Sequence, residues 1–264
     1  MRLRGPHMFW KLIRTVRWWI VFALLAVTAS AQEEISVQPW LSVVLGHQKN
    51  ERLYMEVEIQ PKTQISGGEH WRNIDATWNV EYYPKEWFDL TCELVTGYTD
   101  HIDGLDSFEI TPRPGLRLHL AKQTVTIIDR RQKLHAERKA LQRLQLATWL
   151  RLEQRNFFYS GDQESSHEWR FRIRPEFKVA LNNPSLGDDG TLFGRGDVEF
   201  FWPLTKDVPE RFVNKIRFRI GPGYRINFAR KVELLFMYDI NRESSLVEFS
   251  EDTFMLDLRL TFLF

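Results

Sequence analysis

The sequence predicts an all-β fold, a closed antiparallel transmembrane β-barrel of about twelve strands. Three observations lead there. Long segments alternate apolar and polar residues, the N-terminus carries a basic, then apolar, then small-residue leader, and the chain stops on Phe264 with an apolar residue at every second position before it.

The leader sets the domain organisation, with a signal peptide over residues 1–31 and a single outer-membrane barrel domain over 32–264. Arg2, Arg4, Lys11, Arg14 and Arg17 form the positive region, WWIVFALLAV at 18–27 the apolar run, and Ala29-Ser30-Ala31 the small residues that signal peptidase needs. Sec-type export with cleavage near Ala31 follows. An uncleaved helical anchor would need about twenty apolar residues, more than this run supplies. Cys92 is the only cysteine, so neither a lipid-anchored N-terminus nor an intramolecular disulfide is expected. The net charge of +1 points to no nucleic-acid partner.

The period of two recurs along the mature chain. In 52–60, Leu53, Met55, Val57 and Ile59 lie on one face and Tyr54, Glu56, Glu58 and Gln60 on the other. Segments 73–83 and 87–98 repeat the pattern, with Trp78 and Val80 opposing Asp75 and Glu81, and Leu90 and Leu94 opposing Asp89 and Glu93. In 169–181, Phe171, Ile173 and Phe177 oppose Arg170, Arg172, Arg174, Glu176 and Lys178; in 215–226, Phe218 and Ile220 oppose Arg217, Arg219 and Arg225. The last strand sets Leu258, Leu260, Phe262 and Phe264 against Asp257, Arg259 and Thr261, and those four apolar residues read as a C-terminal insertion signal for the barrel-assembly machinery.

A soluble barrel would turn the apolar face inward and a membrane barrel would turn it toward lipid. The lengths favour membrane, since soluble strands average about five or six residues and tilted spanning strands about nine to eleven. Arginines at alternate positions suit a wet lumen. Trp40, Tyr82, Trp87, Tyr98, Phe157, Phe158, Tyr159, Trp169, Trp202 and Tyr238 lie near segment ends, as interfacial girdles require. Short connections at 83–86 and 227–230 read as periplasmic, and longer polar ones at 99–107, 160–167, 203–214 and 241–252 as extracellular. Eleven segments alternate strongly, but single-chain bacterial barrels have even strand numbers. Twelve is therefore expected if 124–129 adds a strand, and ten if 35–45 does not cross. Residues 130–143 (RRQKLHAERKALQR) break the period and predict a short basic helical connection.

ISGGEHW at 65–71, VEYYPKEWFDLTCELVTGYT at 80–99 and WLRLEQRNFFYS at 149–160 resemble, together with HEWRFRIRPEFKVALN at 167–182, VPERFVNKIRFRIGPGYR at 208–225 and VELLFMYD at 232–239, a family of bacterial proteins catalogued as a domain of unknown function (twenty-four ninety). The resemblance covers most of the mature chain and implies an outer-membrane-like barrel. It supplies no catalytic residue.

With polar faces inward, the lumen acquires a basic wall of Arg151, Arg155, Arg170, Arg172, Arg174, Arg195, Arg217, Arg219, Arg225 and Arg259. An acidic wall of Glu56, Glu58, Asp75, Glu81, Asp89 and Glu93 faces it. These charges either interlock into a plugged structural barrel or line a narrow channel for small polar solutes. Outer-membrane lipid and the export and assembly machineries are the partners expected. A hydrolase is the alternative from another class, with His101 beside Asp100, Asp103 and Ser107, or His167 beside Ser165, Ser166 and Glu168, as rim candidates. A soluble periplasmic barrel is the third reading. No phosphate loop, zinc spacing, calcium loop or dinucleotide fingerprint is present, so no cofactor is expected. GTLFGRG at 190–196 reads as turn and strand.

Overall fold

The computed structural model describes residues 36–65, 70–101, 105–120, 143–205, 215–241 and 253–264. The leader, the segment 124–129 and all but the last residue of the basic segment 130–143 lie outside them. The described residues form eleven strands: β1 (Ser36–Asn50), β2 (Leu53–Thr63), β3 (Trp71–Lys85), β4 (Phe88–His101), β5 (Ser107–His119), β6 (Leu144–Tyr159), β7 (Ser166–Ala180), β8 (Thr191–Pro203), β9 (Lys215–Asn227), β10 (Arg230–Asn241) and β11 (Thr253–Leu263). Ten neighbouring pairs are antiparallel. The ring closes through one parallel pair, β1 against β11, in register from Ser36↔Thr253 to Gly46↔Leu263.

Eleven strands correct the expectation of twelve or ten. Consecutive antiparallel strands reverse direction, so an odd number brings the first and last strands to the seam pointing the same way, and they pair in parallel. β5 pairs directly with β6, so the ring needs no strand from 124–129, and β1 crosses in full. Closure removes every exposed sheet edge. At the seam the last residue is tied down twice: Phe264 N–H donates to Gly46 O at 3.0 Å, and Phe264 O lies 2.8 Å from His47 Nδ1.

The pleat sends alternate side chains to opposite faces. Every strand turns large apolar residues outward, among them Leu45, Ile59, Trp78, Leu94, Phe108, Phe158, Phe177, Trp202, Phe218, Ile240 and Leu258, while the arginines and carboxylates of the same strands are largely covered. Aromatics line up across strands near one end: Tyr98↔Phe108↔Phe158, then Phe171↔Trp202, then Phe218↔Tyr238↔Phe254. Trp40, Phe157 and Tyr159 are corrections to the girdle. Their positions fall on the interior face, where Phe157 is buried beneath Arg155, Trp40 meets Lys62 and Arg217, and Tyr159 hydrogen-bonds Ser166.

The short connections at 51–52, 86–87 and 228–229 share one end with Phe264, with the connection 181–190, with the end of β5 and with the start of β6. The connection 160–165 lies at the other end, with Ser36, the end of β2 and the start of β3. Gly190 has a φ of 73°, left-handed backbone that suits glycine, and turns the chain into β8.

Candidate functional site

The site is the interior face. Its centre is Glu153 on β6, fully buried, which no water can solvate and which three guanidiniums therefore hold. Arg170 approaches at 2.6 Å, Arg113 Nε lies 2.8 Å away, and Arg172 hydrogen-bonds the same oxygen that Arg113 meets. The network runs on around the wall. Arg172 also donates to Glu199, whose other oxygen accepts Arg219 at 2.9 Å; Arg219 Nε reaches Asp197 at 2.6 Å. Arg195 joins Asp197 at 3.6 Å to Glu233 at 3.1 Å, and Lys231 completes the chain at 2.9 Å. One belt of ion pairs thus spans β5 to β10.

Smaller clusters flank the belt. Toward the Ser36 end, Arg217 grips Asp239 with two bonds of 2.7 Å while Lys215 adds one of 2.8 Å, and Arg155 joins Glu109 and Glu168 at 3.0 Å each. Toward the Phe264 end, Arg117 contacts Asp89 and Glu81, and His119 lies 2.7 Å from Asp89. Arg259 reaches over β1 to grip both oxygens of Glu58 at 2.7 and 2.8 Å. Two-pronged guanidinium–carboxylate bonds fix direction as well as charge.

Aromatic rings hold the remaining faces of the cations. Phe201 lies under Arg170, Arg172, Arg217 and Lys215, and Trp149 under Arg117, Arg151 and Arg174, with centroid distances of 4.4 to 5.8 Å. A guanidinium over a ring is stabilised by the quadrupole and keeps its in-plane N–H donors for other partners.

All ten arginines of the expected basic wall occupy interior positions. Arg151 meets Glu93 at 3.2 Å, Arg225 donates to Leu186 O at 2.8 Å, and Arg174 has only its ring among the described residues. Of the six expected acids, Glu58, Asp75, Glu81, Asp89 and Glu93 have cationic partners, Asp75 through Lys62. Glu56 accepts from Tyr54 at 2.8 Å and Asn79 at 3.3 Å. The picture of two opposed walls omits many interior acids. Glu153, Glu168, Asp197 and Glu199 sit on strands of the basic wall itself, Glu233 and Asp239 sit on β10 between two such strands, and most pairs form between neighbouring strands. Their signal was in the sequence: Glu153 keeps the same parity as Arg151 and Arg155, and Asp197 and Glu199 that of Arg195. Arg113, Arg117 and His119 are masked by the prolines and glycine of β5.

The rim histidines assemble no relay among the described residues. His167 is exposed and its ring shares a 2.9 Å bond with Asn156, and the backbone N–H of His101 donates to Asp106 at 3.3 Å. Also among the described residues, no group of three or more histidine, cysteine or acidic side chains is placed to hold a metal ion.

The family model described as "Protein of unknown function (DUF2490)" matches residues 37–249, and the chain belongs to that family. No curated protein and no solved structure matches it.

Proposed function

We propose that this DUF2490 barrel resides in the bacterial outer membrane as a structural barrel whose lumen is closed by its own paired charges. The observation that carries the reading is the inversion of the soluble pattern, with apolar side chains outward on all eleven strands and buried ion pairs inside. Water-soluble monomers rarely expose contiguous apolar patches above a few hundred Å², whereas lipid covers such a band without cost. Aromatic rows near the loop-bearing end, with Tyr98 Oη donating to Asp106 at 2.8 Å, suit a membrane–water interface. In this reading the leader directs Sec-type export with cleavage near Ala31, and the strand ending Leu258, Leu260, Phe262 and Phe264 presents the insertion signal to the assembly machinery.

The plug follows from energetics. Glu153, Glu168, Glu199 and Glu233 are fully buried, and charges there persist only while paired and hydrogen-bonded. A solute passing through the belt would have to break those pairs.

Two measurements test the proposal. Folded protein should run with heat-modifiable mobility from the outer-membrane fraction. In a Cys92→Ser background, a cysteine at Asp162 should react with an impermeant maleimide on intact cells while one at Glu86 should not; the reverse labelling overturns the orientation. In planar bilayers the wild type should be electrically silent, and Arg172→Glu, which sets a third carboxylate against Glu153 and Glu199, should open measurable conductance. Steady wild-type channels would overturn the plug in favour of a pore for small polar solutes.

A further inference from the structure

We propose that the lumen holds a binding site for a phosphate-sized oxyanion, built around Trp149 on the Phe264 side of the ion-pair belt. In the register of β5, β6 and β7, Trp149 sits between Arg117 and Arg174, and Arg151 follows on the same face of β6. Three guanidiniums thus lie 4.4 to 4.8 Å from one indole centroid. Like charges do not gather this closely without compensation, and the acids here are unevenly shared. Arg117 is matched by Asp89 and Glu81, and Arg151 has Glu93 alone. Arg174 has no carboxylate within ion-pair range among the described residues. Glu176, two residues along the same face of β7, likewise has no ion pair among the described residues and sets a limit on the charge the site accepts.

Donors are left over around this ring. Among the described residues, Trp149 Nε1 and the Nε atoms of Arg151 and Arg174 find no acceptor, nor does Thr91 Oγ1 on β4. Trp149, Arg151 and Thr91 are each more than nine-tenths buried, where an unmade hydrogen bond is costly. Thr91 and Arg151 lie in one register row, joined by Gly115. A Cβ at Gly115 would press on Arg151 Cγ at 3.1 Å and Thr91 Oγ1 at 2.6 Å, so the glycine makes the room in which the arginine stem lies. Arg174 itself keeps partial exposure, which gives a small solute a way to reach it. Indole, hydroxyl and guanidinium groups are donors, and a compact oxyanion with several acceptor oxygens is the ligand class that satisfies them together. The site does not require the barrel to conduct, since it lies to one side of the belt, and it stands whether or not the membrane assignment does.

Arg174→Gln is the clean test, because removing this cation orphans no acid. Isothermal titration of inorganic phosphate into the detergent-folded full chain, at constant ionic strength, should give saturable binding. Arg174→Gln should weaken it about tenfold to a hundredfold, the loss of one charge-assisted contact. Trp149→Phe should weaken it less, Glu176→Gln should tighten it, and Arg230→Gln, an exposed cation at the β9–β10 turn, should leave it unchanged. Absence of saturable binding up to about 10 mM phosphate, or equal titrations for wild type and Arg174→Gln with heat-modifiable folding intact, overturns the proposal.

Discussion

The two arcs of the barrel interior are held by different chemistry. From β5 to β10 the wall is a network of guanidiniums and carboxylates, with Glu153, Glu199 and Glu233 fully buried and shared among several cations. From β11 across the parallel seam to β3, neutral donors do most of the binding. Ser42 donates to Asp257 at 2.8 Å and accepts from Gln60 at 2.6 Å, Trp71 donates to Gln64 at 2.7 Å, and Tyr54 donates to Glu56. Ion pairs there are isolated, Arg259 with Glu58 and Lys62 with Asp75. In the first arc each charge tolerates burial only because of the others, so removing one strands several. In the second, most links are single hydrogen bonds from neutral donors, and losing one strands no buried cation. Strong coupling thus sits opposite the seam, while the parallel β1·β11 ladder, weaker per residue than an antiparallel one, is lined by bonds that can be remade singly.

The comparison is most exposed to Glu153→Gln. Leaving Arg113, Arg170 and Arg172 around a neutral amide should cost about 3–5 kcal/mol, the scale for breaking a buried pair. Urea titration of the heat-modifiable folded form reads it, and a loss below about 1 kcal/mol would place the belt among weak surface pairs. Asp239→Asn should come next, at about 2–3 kcal/mol, because it disarms one two-pronged grip and one lysine contact while leaving the central belt intact. Tyr54→Phe, in the neutral arc, should cost about 1 kcal/mol, the usual worth of one hydrogen bond. If the tyrosine variant proves as damaging as Glu153→Gln, the arcs do not differ. Raising salt toward about 1 M should preserve this ranking, since buried pairs are poorly screened.

Much of this interior was legible from period alone. Once Phe171 and Phe218 are read as outward, Arg172 and Arg217 must point inward, and the same parity assigns Glu153 and Glu199 to the lumen. The aromatics were less legible. Trp40 and Phe158 both stand near strand ends, but one lies under interior cations and the other on the outer surface. Aromatic rings serve equally well against lipid and against guanidinium, so residue type alone does not choose. On β5, Pro112, Pro114 and Gly115 blur the alternation that would have revealed Arg113 and Arg117.

The order of apolar and polar residues by itself determined that the chain forms long two-faced strands, how many of them alternate clearly, and which side chains share a face, because the pleat has a period of two whatever the surroundings. Only the tertiary structure decided that eleven such strands close through a parallel seam, that Arg259 reaches Glu58 across β1, and that Arg174 is left beside Trp149 with no ion pair among the described residues. Those outcomes depend on the register between strands and on the closure of the ring. Both are set by the cooperative match of all eleven ladders and not by any segment alone.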